Sequence, residues 1–313
     1  MLKKTLFWNY DWGSVPDPLV PRVIREFLDN GADHFVFTSP LLERVLKSPE
    51  YAEELKRMER EFKIKWGAMH SLIGGSMSLN LPDKALRPEM LKTQIRSLQI
   101  ASDFEVRTVT FHADGYPYVH LRYPVEKLRP FFRESLEILL KHAEKYGIVI
   151  AIENCFEKTN SARELLAYQA PYEGNPHLGF CYDTGHANIM APAPWKDMDL
   201  YRKRYEDPDF WTLEDEWWEG LELEADALDK MKDNVVTCHI HDNNGYNDLH
   251  GMPFDGTIDW PELMKKLENC PRMIECQTEV CFKDGVNWAG PLLAPKGGYS
   301  IRHFAETFRK LGF

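Results

Sequence analysis

The sequence predicts an α/β fold in which eight parallel strands close into a (β/α)8 TIM barrel. Short β-rich runs alternate with longer amphipathic segments and make eight strand–helix units in a chain of 313 residues. Apolar strands separated by helices indicate a parallel sheet whose outer face is covered. Eight such units fit a closed barrel, with a doubly wound open sheet as the alternative.

In the first four units, each short apolar run is followed by a segment with helical spacing. The helix Pro49–Phe62 carries its charges on one face, as expected of a helix that covers a barrel. The helix Val125–Tyr146 is the longest and ends at Gly147, a residue that commonly terminates helices. The strands predicted here are Thr5–Trp8, His34–Thr38, Ile64–Met69 and Thr108–Phe111, and the other helices are Pro18–Leu28 and Pro88–Ser102.

The second half of the chain repeats this alternation. Its first strand, Ile148–Ile152, is wholly apolar, which is typical of a strand buried on both faces. The remaining predicted strands are Leu178–Tyr182, Val235–Ile240 and Met273–Cys276, and the helices are Ser161–Ala167, Leu213–Lys232, Trp260–Leu267 and Ile301–Leu311.

No linker divides the chain, so residues 1–313 are predicted to form a single barrel domain with two long loops. An insertion at about 191–218 begins with Pro192 and Pro194, which break regular structure, and is rich in aromatic residues. A Gly- and Pro-rich loop is expected at about 282–299. Long barrel loops commonly serve as lids or as contacts between subunits, so a homo-oligomer is one expectation for the insertion.

Charge and composition restrict the partners of the protein. The formal net charge is -11, and acidic residues flank the densest basic cluster, Arg202-Lys203-Arg204, so we expect no nucleic-acid partner. The apolar run at the start is too short for a signal peptide, and no run has the length of a membrane helix. None of the six cysteines forms a C-x-x-C pair. We therefore expect a cytoplasmic protein with reduced thiols and no membrane association.

His, Asp and Glu residues recur at the carboxyl ends of the predicted strands. In a TIM barrel these ends converge on the face that carries the active site. Carboxylates and imidazoles packed so densely would repel or desolvate one another without a cation, so the pattern predicts a divalent metal site. Any one of these residues could instead cap a helix or form a structural hydrogen bond, and the joint occurrence carries the prediction. The residues are His70, His112, Glu153, Asp183, His186, His239, His241 and Glu275.

Seven stretches around these residues form recognisable motifs, and they run from the fourth strand to the last. They are Thr110-Phe111-His112, Ala151-Ile152-Glu153-Asn154, Cys181-Tyr182-Asp183-Thr184-Gly185-His186-Ala187, His239-Ile240-His241-Asp242-Asn243, Asp248-Leu249-His250, Gly256-Thr257-Ile258-Asp259-Trp260 and Pro271-Arg272-Met273-Ile274-Glu275. Through them the sequence resembles the xylose isomerase-like TIM barrel superfamily, in the branch of sugar phosphate isomerases/epimerases and endonuclease IV. The resemblance is specific for the superfamily more than for a substrate.

The resemblance implies roles for individual residues. The epimerases of this superfamily bind a single divalent metal at four positions, which correspond to Glu153, Asp183, His239 and Glu275. Mn²⁺ is the favoured metal, with Mg²⁺, Co²⁺, Fe²⁺ or Zn²⁺ as alternatives. Glu153 and Glu275 would also exchange a proton next to a carbonyl, and His186 falls on a substrate-contacting position. The additional ligands of the trinuclear endonuclease branch match His70, His112, Asp248 and His250.

Four functions follow from these residues. The first is a metal-dependent isomerase or epimerase of a small carbohydrate, although the arginine expected after the seventh strand in ketose 3-epimerases is replaced by Asn243-Asn244-Gly245-Tyr246. The second is a lyase that cleaves a 3-keto C- or O-glycoside by the same proton abstraction. The third is a phosphodiesterase on abasic DNA, against which the acidic balance argues. The intact ligand positions argue against the fourth, a catalytically silent binding protein.

Overall fold

A computed structural model describes residues 3–13, 15–115, 123–197, 221–281 and 300–313. The strands are β1 (Thr5–Phe7), β2 (His34–Phe37), β3 (Lys65–His70), β4 (Thr108–Phe111), β5 (Val149–Glu153), β6 (Leu178–Asp183), β7 (Val235–Ile240) and β8 (Glu275–Thr278). These eight strands form one parallel sheet in the order β1-β8-β7-β6-β5-β4-β3-β2. Trp8 completes the circle, because its N–H donates to His34 and its carbonyl accepts from Val36. The predicted (β/α)8 barrel is therefore confirmed.

Helices cover the outside of the barrel, and several begin at side-chain caps. The carboxylates of Asp183 and Asp259 and the hydroxyl of Ser300 each accept a backbone N–H from the first turn of the following helix. The α-helices in the described residues are α1 (Val20–Asp29), α2 (Ser39–Lys47), α3 (Glu50–Phe62), α4 (Arg87–Asp103), α5 (Val125–Tyr146), α6 (Ala162–Gln169), α7 (Thr184–Met190), α8 (Ala227–Met231), α9 (Trp260–Glu268) and α10 (Ile301–Leu311).

The main apolar core lies between the strands and the covering helices. Trp8, Phe27, Phe35 and Phe304 meet there in edge-to-face and tilted contacts. A second small cluster, formed by Phe7, Val36 and Ala68, is also buried. Gly67 makes room for it, since a Cβ at that position would overlap the Phe7 ring.

Four elements differ from the sequence prediction. The structure adds two helices that were not predicted, α2 and α7. In the described part of the expected helix Leu213–Lys232, residues Ala227–Met231 are helical and Lys232 begins a 3-10 turn. The eighth strand occupies Glu275–Thr278 where Met273–Cys276 was expected. Polar residues at its end obscured this shift in the sequence. Gln277 and Thr278 are both buried, and the Gln277 amide donates to Thr237 of the neighbouring strand.

The two long loops fall largely outside the described residues. The described residues include the beginning of the insertion, up to Asp197, but not 198–220, and they do not include 282–299. In the described part of the chain, no helix has the length and apolar character needed to span a membrane. Cys181, Cys238 and Cys276 are free and buried.

Candidate metal centre

Four strands deliver one buried group of carboxylates and an imidazole to the carboxyl end of the barrel. Glu153 and Asp183 are the last residues of β5 and β6, His239 lies one residue before the end of β7, and Glu279 directly follows β8. One ligand atom from each residue lies within 4.8 Å of the others. Glu153, Asp183 and His239 are at most 1% exposed. We refer to these four residues as the central group.

The central group converges on Nδ1 of His239. This atom lies 3.2 Å from Oε1 of Glu153, 3.7 Å from Oδ2 of Asp183 and 2.9 Å from Oε2 of Glu279. Both Nδ1 of His239 and Oε2 of Glu279 are buried, and neither atom has a hydrogen bond to the described residues. Ligands bound at about 2.1 Å to one cation with near-perpendicular or tetrahedral angles are roughly 3 Å apart, so this group fits a divalent metal.

Glu275 does not join the central group, which corrects the expectation that it is the fourth ligand and a catalytic carboxylate. It is the first residue of β8, at the opposite end of the strand from the site, and its carboxylate accepts a hydrogen bond from Thr108, the first residue of β4. Burial raises the pKa of Glu275 to about 7, an effect that the Thr108 hydrogen bond and Arg107 partly offset. Glu279 takes the place in the central group that was expected for Glu275, and only a correct carboxyl end for β8 would have identified it.

Two further histidines approach Glu153 from β3 and β4. Nε2 of His112 lies 2.9 Å and Nε2 of His70 lies 3.4 Å from Oε2 of Glu153. Nδ1 of His70 is 2.9 Å from the carbonyl oxygen of Ser71, so that acceptor assigns the ring proton to Nδ1. Nε2 of His70 is then a lone pair facing a carboxylate. A cation between the two atoms would satisfy both.

A third group lies beside the first two and contains His186, Asp248 and His250. Oδ2 of Asp248 is 3.0 Å from Nε2 of His250 and 3.5 Å from Nε2 of His186. Nδ1 of His186 faces the carbonyl of Asn154 at 3.0 Å, and Nδ1 of His250 faces that of Glu279 at 2.8 Å. The two backbone acceptors again direct the Nε2 atoms toward a carboxylate. His241 lies close enough to be counted with this group.

The loop after β7 is shaped by Asp242, which brings Asp248 and His250 to the site. The Asp242 carboxylate accepts hydrogen bonds from the Trp260 indole at 2.7 Å and from the backbone of Asn243 at 2.8 Å. Its backbone forms an antiparallel bridge with Gly251, the residue after His250. His250 itself has a φ of +44°, a conformation that non-glycine residues adopt at a cost. The surrounding hydrogen bonds hold this strained position.

The histidines compensate the charge of the buried carboxylates. Burial by itself would raise the pKa of Glu153, but His239 and His112 hold that pKa well below its ordinary value. Conversely, burial would lower the pKa of His239, whereas the Cys181 thiol and the Glu153 and Glu279 carboxylates raise it well above the ordinary value. A bound divalent cation would replace the protons of these imidazoles as the counter-charge.

A cavity of about 250 Å³ opens next to the metal-ligand candidates, on the side of β1 and β2. His70, His250 and Glu279 form one wall, and the other walls carry an acid, an amide and hydroxyl groups. None of the described residues that line the cavity is Lys or Arg. The lining residues are Asn9, Tyr10, Asp11, Thr38, Ser39, Pro40, His70, Ile73, His250, Glu279, Val280 and Cys281.

Comparison with protein families and curated proteins agrees with this architecture. A family model described as xylose isomerase-like TIM barrel matches residues 24–281, most of the chain. The match confirms the family resemblance found in the sequence. One curated relative, the uncharacterized protein y4fM of Sinorhizobium fredii, is 25% identical over 183 residues, which are 57% of this chain and 48% of that protein. The chain thus matches about half the length of this relative.

Solved structures with the same fold include two sugar epimerases. The 3-keto-D-glucoside 4-epimerase YcjR from E. coli has a TM-score of 0.66 and 16% identity, with 99% of each chain covered. The D-psicose 3-epimerase from Clostridium cellulolyticum H10, solved with D-tagatose, has a TM-score of 0.66 and 14% identity, with 98% of each chain covered. The IOLI protein, solved with a zinc atom, has a TM-score of 0.64 and 14% identity, covering 98% of this chain and 96% of that one. At these identities the likeness shows the fold.

Proposed function

This chain belongs to the xylose isomerase-like TIM barrel family, and we propose that it is a divalent-metal-dependent isomerase or epimerase of a small carbohydrate. The observation that carries the proposal is the central group, in which carboxylates from two strands that are not neighbours, β5 and β8, meet at one imidazole. Two carboxylates beside one cation can remove and return a proton at a carbon next to a carbonyl.

Glu153, Asp183, His239 and Glu279 would hold the metal. Their mixed carboxylate and imidazole donors suit Mn²⁺, our first choice, and also Mg²⁺, Co²⁺, Fe²⁺ or Zn²⁺. The metal would polarise the substrate carbonyl and so acidify the neighbouring C–H bond. The zinc atom bound in the IOLI protein, which has the same fold, is consistent with a metal in this chain.

The protein's own side chains would then transfer the proton. Glu153 and Glu279 are both held ionised, because neighbouring imidazoles lower the pKa of each carboxyl although burial opposes this. In an isomerase, one carboxylate would remove the proton from the carbon next to the carbonyl and deliver the same proton to the adjacent carbon. In an epimerase, the first carboxylate would keep that proton until water accepts it, and the other, after taking up a proton from water, would donate it to the opposite face of the carbon. Glu279 thereby takes the role that the sequence assigned to Glu275. His186 contacts a substrate hydroxyl through Nε2, since Nδ1 is engaged with Asn154.

The cavity beside the metal ligands indicates the chemical class of the substrate. Asp11, Asn9, Thr38 and Ser39 offer acceptors and donors for hydroxyl groups, and the described lining has no cation for a phosphate or carboxylate. We therefore propose an uncharged polyhydroxylated substrate. The sugar epimerases among the similar structures are consistent with this class.

Proton exchange provides the test. The purified protein, analysed for its metal, would be incubated in heavy water with ketoses, inosose-like polyols and 3-keto-glycosides, and deuterium in the recovered sugar would be measured. Incorporation without bond cleavage supports an isomerase or epimerase. Release of an aglycone would identify a lyase. A metal-loaded protein that labels none of these compounds would contradict both.

A second function, hydrolysis of a phosphodiester by several metals, is favoured by one specific observation. The groups formed by His70 and His112 with Glu153, and by His186 with Asp248 and His250, lie directly beside the central group. Three neighbouring ligand sets can activate water and stabilise a leaving oxygen. Metal analysis separates the two functions, because one tightly bound equivalent supports the isomerase and three support the hydrolase.

A further inference from the structure

Among the described residues, His241 makes the most direct side-chain contact to the metal-ligand candidate Asp183. Its Nε2 lies 2.9 Å from Oδ1 and 3.0 Å from Oδ2 of the carboxylate, so one N–H is shared between both oxygens. His241 is fully buried, as is Asp183. A hydrogen bond to an ionised, buried carboxylate is among the stronger hydrogen bonds in proteins, and it fixes the plane of the carboxylate.

The remaining contacts of Asp183 show which carboxylate oxygen faces the other members of the central group. Oδ1 also accepts the backbone N–H of His186 at 2.7 Å, which is the cap of α7. Oδ1 is therefore occupied by two donors, and Oδ2 is the oxygen turned toward His239 Nδ1 at 3.7 Å. Without the His241 donor, rotation of the carboxylate about its Cβ–Cγ bond would be restrained by the cap alone.

The position of His241 is itself fixed from three sides. The Thr184 hydroxyl donates to the His241 carbonyl at 2.8 Å and accepts its backbone N–H at 3.1 Å. The His250 ring stacks on the imidazole with a centroid distance of 4.0 Å and an interplanar angle of 8°. A Cβ on Gly185 would overlap the imidazole, so only glycine leaves space for the ring.

The two ring nitrogens have different surroundings. Nδ1 is buried and has no hydrogen-bond partner in the described part of the chain, and the ring edge that carries it faces Gly185. A proton on Nδ1 would therefore be a buried donor with no acceptor, which assigns the proton to Nε2, where it is donated to Asp183. This arrangement leaves His241 no lone pair directed at a cation.

We propose that His241 is a positioning residue that orients the Asp183 carboxylate toward the metal and is not itself a ligand. The proposal rests on the proposed function for the presence of the metal. Thr184 and Gly185 hold His241 in place, because Thr184 bonds its backbone and Gly185 leaves space for its ring. The segments Asp183-Thr184-Gly185 and His239-Ile240-His241 therefore pack together where β6 and β7 end. Partners that orient metal ligands in this way typically contribute on the order of 10- to 100-fold to metal affinity.

The test measures metal binding, which does not depend on knowing the substrate. Full-length protein freed of metal with a chelator is titrated with Mn²⁺ and Co²⁺ against a chromophoric competitor, and the Co²⁺ absorption spectrum is recorded. His241→Phe keeps a stacked ring but removes the donor, and His241→Gln restores an N–H near the position of Nε2. His177→Phe is the matched control, because His177 bonds the backbone of Ile148 at the other end of the barrel.

We expect His241→Phe to weaken binding of both ions about 10- to 100-fold with an altered Co²⁺ spectrum, while His241→Gln recovers most of the affinity and His177→Phe matches the wild type. Gly185→Ala should reproduce the loss by displacing the ring. Wild-type affinity in His241→Phe would overturn the proposal, and so would the loss of one whole metal equivalent, which would make His241 a ligand.

Two further outcomes are distinguishable. If His241→Phe does not unfold cooperatively in chelator, the comparison of His241→Gln with the wild type decides, and an equally large affinity loss in that variant would contradict the proposal. Wild-type protein that binds metal but exchanges no substrate proton would refute the proposed function while the affinities still test His241. Absence of metal binding by the wild type would overturn both.

Discussion

Nδ1 of His239 lies 2.9 Å from Oε2 of Glu279, and within the described ranges neither buried atom has a hydrogen bond. Such a pair is costly unless a shared cation satisfies both atoms. Glu153 and Asp183 approach the same nitrogen, so four polar groups whose burial is unfavourable meet around one atom. The loss of any one of these groups should therefore affect metal binding and proton transfer together.

Replacing Glu279 by Gln should abolish proton exchange, with a loss on the order of 10²-fold or more, because the amide cannot act as a base. Glu153→Gln should have a similar effect. Glu275→Gln is the matched control. Glu275 is the first residue of β8, the strand that Glu279 follows, and it contacts Thr108 at the end of the barrel opposite to the site. The measurement is the rate of deuterium incorporation from heavy water. Loss of exchange in Glu275→Gln with full activity in Glu279→Gln would reverse our assignment.

Glu275 should also make the stability of the fold depend on pH. Burial raises its pKa to about 7 from 4.5, so the folded state binds a proton that the unfolded state releases between these values. The stabilisation is complete below pH 4.5 and is lost as pH rises through 7. Glu275→Gln should therefore raise the free energy of unfolding at pH 8 by up to about 3 kcal/mol, with little effect at pH 5.

Denaturant unfolding of both proteins at the two pH values, in the presence of chelator, measures this difference. Glu173→Gln is a suitable control because Glu173 is exposed. An equal change at pH 5 and pH 8 would show that packing, and not titration, separates Glu275→Gln from the wild type.

Metal removal should lower the melting temperature. An ion that binds only the folded state stabilises it by about 2.7 kcal/mol at a free concentration 100 times its Kd. His239→Ala should remove this stabilisation, because all three carboxylates of the central group approach its Nδ1. Thermal unfolding with and without Mn²⁺ measures the effect. A metal-induced shift that persists undiminished in His239→Ala would place the strongest metal site elsewhere.

The protein should not cleave duplex DNA at abasic sites, although His70, His112, Asp248 and His250 all lie at the site. Phosphate binding depends on Lys and Arg, and this chain has 49 acidic against 38 basic residues. The measurement is a nicking assay with metal-loaded protein at low salt, where electrostatic binding is strongest. Efficient nicking that disappears in His112→Ala would establish the phosphodiesterase function instead.

The sequence by itself determined the barrel and most residues of the candidate metal centre. Apolar runs alternating with amphipathic segments specify eight buried parallel strands, and residues at the ends of such strands must converge on one face. This rule placed Glu153, Asp183 and His239 on the same face, because each of them comes at or near the end of a mainly apolar strand. Asp248 and His250 were identified from the family motif, and the Asp242-shaped loop then brings them to the site.

Only the tertiary structure decided between Glu275 and Glu279. The apolar residues Met273 and Ile274 suggest an earlier strand, whereas Gln277 and Thr278 are polar and yet buried because hydrogen bonding to a neighbouring strand compensates Gln277. The role of His241 was equally hidden, since it depends on space beside Gly185 and on the direction of one ring nitrogen. Spacing along a chain specifies which face a residue occupies, and packing across strands specifies which atom it meets.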